Sequence, residues 1–167
     1  MWRLLAAVAL LLAWPSSARA DDQSWGITIW GLSYHTDRDA DYNELNWGLG
    51  LRYYHRPEWK WLGTSGDNRV FVEGDALRDS NRGLMIPISA GVEYRIAPLP
   101  AGCKLFAVGA FTVAYYRYAT RDSAVIKFGP VPGIVIGCGR LKTNVEVILR
   151  PSSEPLAALT ASWTIVF

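Results

Sequence analysis

Between residues 25 and 167, apolar side chains recur at alternate positions in short runs, and clusters of Asp, Asn, Gly, Pro and Ser separate the runs. A period of two is the mark of strands, and such clusters mark turns. The pattern predicts eight strands, at Trp25–His35, Asn46–Tyr54, Arg69–Asp79, Gly83–Arg95, Lys104–Tyr118, Ala124–Gly139, Thr143–Arg150 and Ala157–Phe167. In the last of them Leu159, Ala161, Trp163, Ile165 and Phe167 share one face, against Thr160, Ser162 and Thr164. In the second, Trp47, Leu49, Leu51 and Tyr53 oppose Gly48, Gly50 and Arg52. The fourth sets Ile88, Ala90, Val92 and Tyr94 against Ser89, Gly91, Glu93 and Arg95, and the seventh sets Val145, Val147 and Leu149 against Asn144, Glu146 and Arg150. The fifth and sixth alternate poorly, and pattern alone does not orient them.

Strands with one greasy face and one charged face suit a barrel that is apolar outside and polar inside. In lipid an open sheet would leave backbone groups unpaired, so the sheet must close. The expected fold is therefore all-β: an eight-stranded antiparallel transmembrane β-barrel. A soluble β-sandwich also alternates. Export, an even strand count and an aromatic last strand weigh against it.

Export is read from residues 1–20. Met1-Trp2-Arg3 gives a positive start, Leu4 to Trp14 is almost purely apolar, and Ser16-Ser17-Ala18-Arg19-Ala20 ends small-x-small. That order is a secretory signal peptide with cleavage expected after Ala20. The apolar run is too short to span a bilayer and is followed at once by Pro15. Residues 21–167 are then the barrel domain. Without Arg3 and Arg19, the 17 basic residues fall to match the 15 acidic ones. A neutral balance gives no sign of a nucleic-acid partner. Eight Trp and eight Tyr are the side chains that favour membrane interfaces.

With both termini periplasmic, the connections 36–45, 80–82, 119–123 and 151–156 lie outside the cell, and 55–68, 96–103 and 140–142 lie in the periplasm. His35 then ends the first strand and Asp79-Ser80 ends the third, at the same outer rim. Strands about 4.8 Å apart bring these three within roughly 10 Å of one another. A His, a carboxylate and a hydroxyl are the groups that acyl transfer needs. Asp79-Ser80-Asn81-Arg82-Gly83 is equally an ordinary turn sequence, and spacing alone favours the turn. Inward Arg52, Glu93, Glu146 and Arg150 are expected to form a paired interior network. Eight strands leave too little room for a pore.

From about Ile27 to Phe167 the chain resembles the lipid A palmitoyltransferase family of outer-membrane barrels. The most specific piece is Tyr42-Asn43-Glu44-Leu45-Asn46-Trp47-Gly48, which is similar to the family's Tyr-Asn-Glu-x-x-Trp-Gly run after the catalytic His. The resemblance implies His35 as general base, Asp79 as its orienting or electrostatic partner and Ser80 as an essential hydroxyl. It places Gly91, eleven positions beyond Ser80, at the floor of an acyl pocket. It makes Pro130, Pro132 and Pro151 marks of gaps in strand pairing, since proline cannot donate to the ladder and such gaps admit lipid sideways. The terminal Phe167 resembles the signal by which such barrels are recognised for assembly. The family's N-terminal amphipathic helix is missing, His35 stands only eight residues before Asn43, and two cysteines are extra.

The implied activity moves a palmitoyl chain from a glycerophospholipid donor to the lipid A acceptor in the outer membrane, by a monomer with no metal and no cofactor. A lipid A deacylase, an esterase using the same groups, is the first alternative. A non-enzymatic structural barrel is the second. For Cys103 and Cys138 two readings stand side by side. Counting from a loop near Arg121, an unslipped hairpin sets Tyr118 opposite Ser123 and, by the same count, Cys103 opposite Cys138, close enough for a disulfide in an oxidising compartment. Alternatively Pro130 and Pro132 introduce a bulge that shifts the register, and both cysteines are merely small and apolar.

Overall fold

The computed structural model describes residues 23–35, 42–57, 67–80, 82–117, 124–149 and 157–167. The signal-peptide segment 1–20, Arg150 and Pro151 lie outside them. The described chain forms eight strands: β1 Gln23–His35, β2 Leu45–His55, β3 Arg69–Arg78, β4 Leu84–Pro98, β5 Lys104–Arg117, β6 Ala124–Cys138, β7 Leu141–Leu149 and β8 Ala157–Val166. Each pairs antiparallel with the next, and β8 returns to β1, closing the barrel. At the seam Trp25 and Phe167 exchange backbone hydrogen bonds of 3.2 and 2.9 Å. Two periplasmic connections are tighter than the sequence suggested. β4 runs on to Pro98 past a register shift near Ile96, and β7 starts at Leu141, directly after the Gly139-Arg140 turn.

Alternation decides the two faces as expected in β2, β4, β7 and β8. The outer wall carries exposed Trp47, Leu49, Leu51, Ile86, Ile88 and Ile134, among others. The lumen is filled in layers. Tyr54, Phe71, Phe106, Val108 and Val135 pack in the periplasmic half, and Trp30, Leu77, Met85 and Ala114 pack nearer the other rim. Between them lies a charged layer. Arg52 pairs with Glu73, with Glu93 at 3.4 Å and with Glu146 at 3.8 Å, and Lys142 pairs with Glu93. An apolar exterior around an interior filled by side chains, with a charged layer at its centre, is the outer-membrane barrel architecture. At the periplasmic rim Asp67 pairs with Arg95 at 2.6 Å and with Lys104 at 2.7 Å. Burial raises the Asp67 carboxyl, but the two cations outweigh it and hold it below the usual range.

β5 and β6 defied orientation because both of their faces are apolar. Ala110, Ala114, Val131 and Val135 point inward, where other strands place polar groups. The β5–β6 register runs without a shift from Lys104↔Gly137 to Arg117↔Ala124, so the prolines introduce no bulge there. Cys103 and Cys138, one step beyond that ladder, are joined by a disulfide with a Cα–Cα distance of 4.3 Å.

Candidate active site

A break in β1 aims the histidine. Trp25, Ile27 and Ile29 face outward, and then Leu32 and Tyr34 do. The parity switches at Gly31, where β1 shifts register against both neighbours between Trp30 and Leu32: Gly31 has no counterpart in β8 and stands alone against Asn46 and Trp47 of β2. A Cβ at Gly31 would stand 2.4 Å from the Trp163 ring, so any larger residue would have to displace that ring. Unbroken alternation from Ile27 would turn His35 to the lipid. The bulge turns it inward, where it is buried together with Ser33.

At the rim Ser80 Oγ lies 2.6 Å from His35 Nε2, and Ser33 Oγ lies 3.3 Å from the same nitrogen. The Tyr42 ring stacks on the imidazole at 4.3 Å. The loop carrying Ser80 is fixed from both sides. Asn43 N–H donates to the Ser80 carbonyl at 2.8 Å, while Asp79 Oδ1 accepts the Gly83 N–H at 2.6 Å and Asp79 N–H donates to the Gly83 carbonyl at 2.9 Å. His35 and Ser80 are thus in direct contact, and Asp79 is buried beside them as the cap of the β3–β4 turn.

The proton directions follow from one carbonyl. Asn43 Nδ2 donates to the Leu45 carbonyl at 2.7 Å, which can only accept, so the Asn43 amide orientation is set. The same Nδ2 donates to Asn46 Oδ1 at 3.3 Å, which turns Asn46 Nδ2 toward the serines. Asn46 Nδ2 then donates to Ser33 Oγ at 2.7 Å and to Ser80 Oγ at 3.2 Å. Both hydroxyls accept on that side, and with the ring hydrogen on Nδ1 the single lone pair of His35 Nε2 takes the proton of the nearer hydroxyl, Ser80 Oγ at 2.6 Å. That nitrogen is the acceptor a general base needs. Ser33 and Asn46 were not singled out from the sequence. Asn46 stands inside the Tyr42–Gly48 motif, and the parity switch after Ile29 was the available signal for Ser33.

Beneath the rim is a cavity of about 30 Å³, lined by Trp30, Phe71, Glu73, Met85, Pro87, Ser89, Ala110, Thr112, Val131, Glu146 and Ile148. Gly91 faces inward below it. A Cβ there would lie 2.8 Å from the Phe71 ring and 2.9 Å from the Ala110 Cα, so the position is closely covered by two lining residues. The wall beside the cavity is incomplete. Among the described residues, β6–β7 pairing runs from Cys138↔Leu141 to Gly133↔Glu146 and stops, leaving Pro130, Val131 and Pro132 unpaired with Val147, Ile148 and Leu149. Pro130 and Pro132 lie in this unpaired stretch and share a parity, so their missing donors fall on one side. Val131 and Ile148, which line the cavity, flank the same seam. Pro87, unremarked in the sequence, marks a second interruption: β3–β4 pairing skips from Gly74↔Ile88 to Leu77↔Met85.

No protein-family model matches the chain, and no curated protein matches it. Among solved structures it is similar to Ail, the attachment invasion locus protein of Yersinia pestis, at 12% identity, covering 87% of this chain and 99% of that one with a TM-score of 0.46. It is similar to the N-terminal β-barrel domain of Pseudomonas aeruginosa OprF at 11% identity, covering 86% and 97% with a TM-score of 0.47. It is also similar to a de novo designed transmembrane β-barrel at 12% identity, covering 86% and 95% with a TM-score of 0.45. At such values the likeness adds nothing to the reading of the site.

Proposed function

We propose that this outer-membrane barrel is an acyltransferase that moves a fatty acyl chain from a glycerophospholipid to a hydroxyacyl chain of lipid A. The carrying observation is the Ser80–His35 contact of 2.6 Å at the outer rim, the geometry of a nucleophile and its base. Ser80 Oγ attacks the donor ester carbonyl as its proton passes to His35 Nε2. The ester bond to the glycerol oxygen breaks, and that oxygen leaves with the proton as a lysophospholipid. The acceptor hydroxyl next gives its proton to Nε2 and attacks the acyl-Ser80, and Ser80 Oγ leaves with the proton restored.

The unpaired β6–β7 seam supports the reading, because it lies against the cavity and beside Pro130 and Pro132. A cavity of about 30 Å³ holds water rather than a sixteen-carbon chain. The chain therefore enters as the seam parts and Met85 and Ile148 rotate aside, a movement suited to flexible Met. In this reading the chain end descends toward Phe71 and Gly91, and Asp79 acts by holding the Ser80 turn and adding negative charge near the imidazole.

The test is mass spectrometry of lipid A from cells with and without the protein. The wild type is expected to add one acyl mass. His35→Ala and Ser80→Ala are expected to lose this by more than about a hundredfold while the barrel still shows its heat-dependent gel shift. A wild type that adds no acyl mass overturns the proposal, and one that removes an acyl group makes the protein a deacylase.

A further inference from the structure

Charge is sorted across the wall with two exceptions. Along the described strands Arg52, Arg69, Glu73, Asp75, Glu93, Arg95, Lys104, Lys127, Lys142 and Glu146 have the inward parity and face the lumen or its mouths. Of the Lys, Arg, Asp and Glu residues in those strands, only Arg78 and Arg117 have the outward parity, and both are exposed. They are not scattered. Arg78 pairs with Leu84 across β3–β4, and Leu84 pairs with Arg117 across β4–β5. The two arginines thus stand in one row at the catalytic rim, on either side of Leu84. Ala76, Ile86 and Tyr115 lie directly below them on the outer face. Neither guanidinium has a side-chain partner among the described residues.

We infer that Arg78 and Arg117 form a docking site for the two phosphates of a phosphorylated glycolipid headgroup in the outer leaflet. An unpaired charge on a lipid-facing wall is tolerated only at the interface, and this row is at the interface. A guanidinium binds a phosphate through two parallel hydrogen bonds. Two strand spacings separate the backbones by about 10 Å, and Leu84 holds the side chains apart. That spacing suits two phosphates carried on one rigid headgroup, as on a bis-phosphorylated disaccharide, better than the single phosphate of a glycerophospholipid. Arg78 directly precedes Asp79 and Ser80, so a headgroup held here sets its acyl chains beside the candidate active site. The choice of glycolipid rests on the acceptor proposed above, whereas the site itself is read by binding and needs no turnover.

The experiment uses the barrel refolded in detergent micelles and titrated with bis-phosphorylated lipid A, with its dephosphorylated form and with phosphatidylglycerol, followed by tryptophan fluorescence. The wild type is expected to prefer the bis-phosphorylated form. Arg78→Gln/Arg117→Gln is expected to weaken that binding by at least about tenfold, to the level of the dephosphorylated form, with the heat-dependent gel shift unchanged. Arg78→Lys/Arg117→Lys is expected to keep most of it. Unchanged binding by the Gln variant, or phosphatidylglycerol bound as tightly as lipid A by the wild type, overturns the site. His35→Ala is expected to bind as the wild type does, so a barrel that binds but never transfers would remove the catalytic reading and leave this one standing.

Discussion

Removing the Asn46 amide would let the Ser33 and Ser80 hydroxyls rotate away from His35, because Asn46 Nδ2 is the donor that occupies their other side. Asn46→Ala is therefore expected to lower transfer about ten- to hundredfold, the cost of one or two lost orienting hydrogen bonds. Asn46→Asp, which can only accept, should be at least as damaging, since it draws the Ser80 proton away from Nε2. Activity equal to the wild type in both variants would show that Asn46 does not orient the site. At this scale the sequence was partly legible. His35 and the Asp79-Ser80 pair were drawn out by the resemblance and not by spacing, since His55 also ends a strand and a second Asp-Ser pair, Asp122-Ser123, directly precedes β6. Ser33 and Asn46 did not stand out, because Ser and Asn are common near turns and their convergence depends on a backbone shift.

That shift belongs to β1. Gly31 lies on both of the strand's ladders and flips the parity of everything after it. Gly31→Val, whose side chain meets the Trp163 ring in the bulged form, should straighten β1 with residue 31 kept in the alternation, send His35 and Ser33 to the lipid face and bring Leu32 and Tyr34 inside. The expected outcome is a barrel that still inserts and still shifts on heating but transfers no acyl chain. Retained transfer would show that the bulge does not aim the histidine. β2, β4, β7 and β8 were legible in the sequence because each has lipid on one side and a polar lumen on the other. β5 and β6 were not, because their inward residues line an apolar region and period two leaves no trace when both faces are greasy. The β5–β6 register could be counted but not decided from the sequence, because a bulge at Pro130 and Pro132 would have shifted it; the ladder is unbroken and sets Cys103 opposite Cys138.

Across the whole barrel, Arg52 is the cation shared by three carboxylates, those of Glu73, Glu93 and Glu146. The sequence named Arg52, Glu93 and Glu146 for this network. It passed over Glu73, whose strand gave weaker alternation, and Lys142, because β7 starts at Leu141, earlier than the expected Thr143. Arg52→Leu leaves buried acids without their common partner, a change that costs about 3–5 kcal/mol. The temperature at which the folded band converts on a gel should fall accordingly, and adding Glu73→Gln should recover part of it. An unchanged conversion temperature would mean the network does not hold the barrel closed. The closed ring itself has one consequence at the β6–β7 seam. Where the ladder between the described residues stops, β6 presents unpaired backbone at Pro130, Val131 and Pro132, and a bare edge is a template on which a second barrel or a stray peptide can add a strand. Pro130 and Pro132 strip alternate donors from it, so a would-be partner strand finds too few hydrogen bonds to register. The residues that leave the wall open to a lipid chain thereby guard it against its own kind, and the barrel keeps a side door without acquiring a sticky edge.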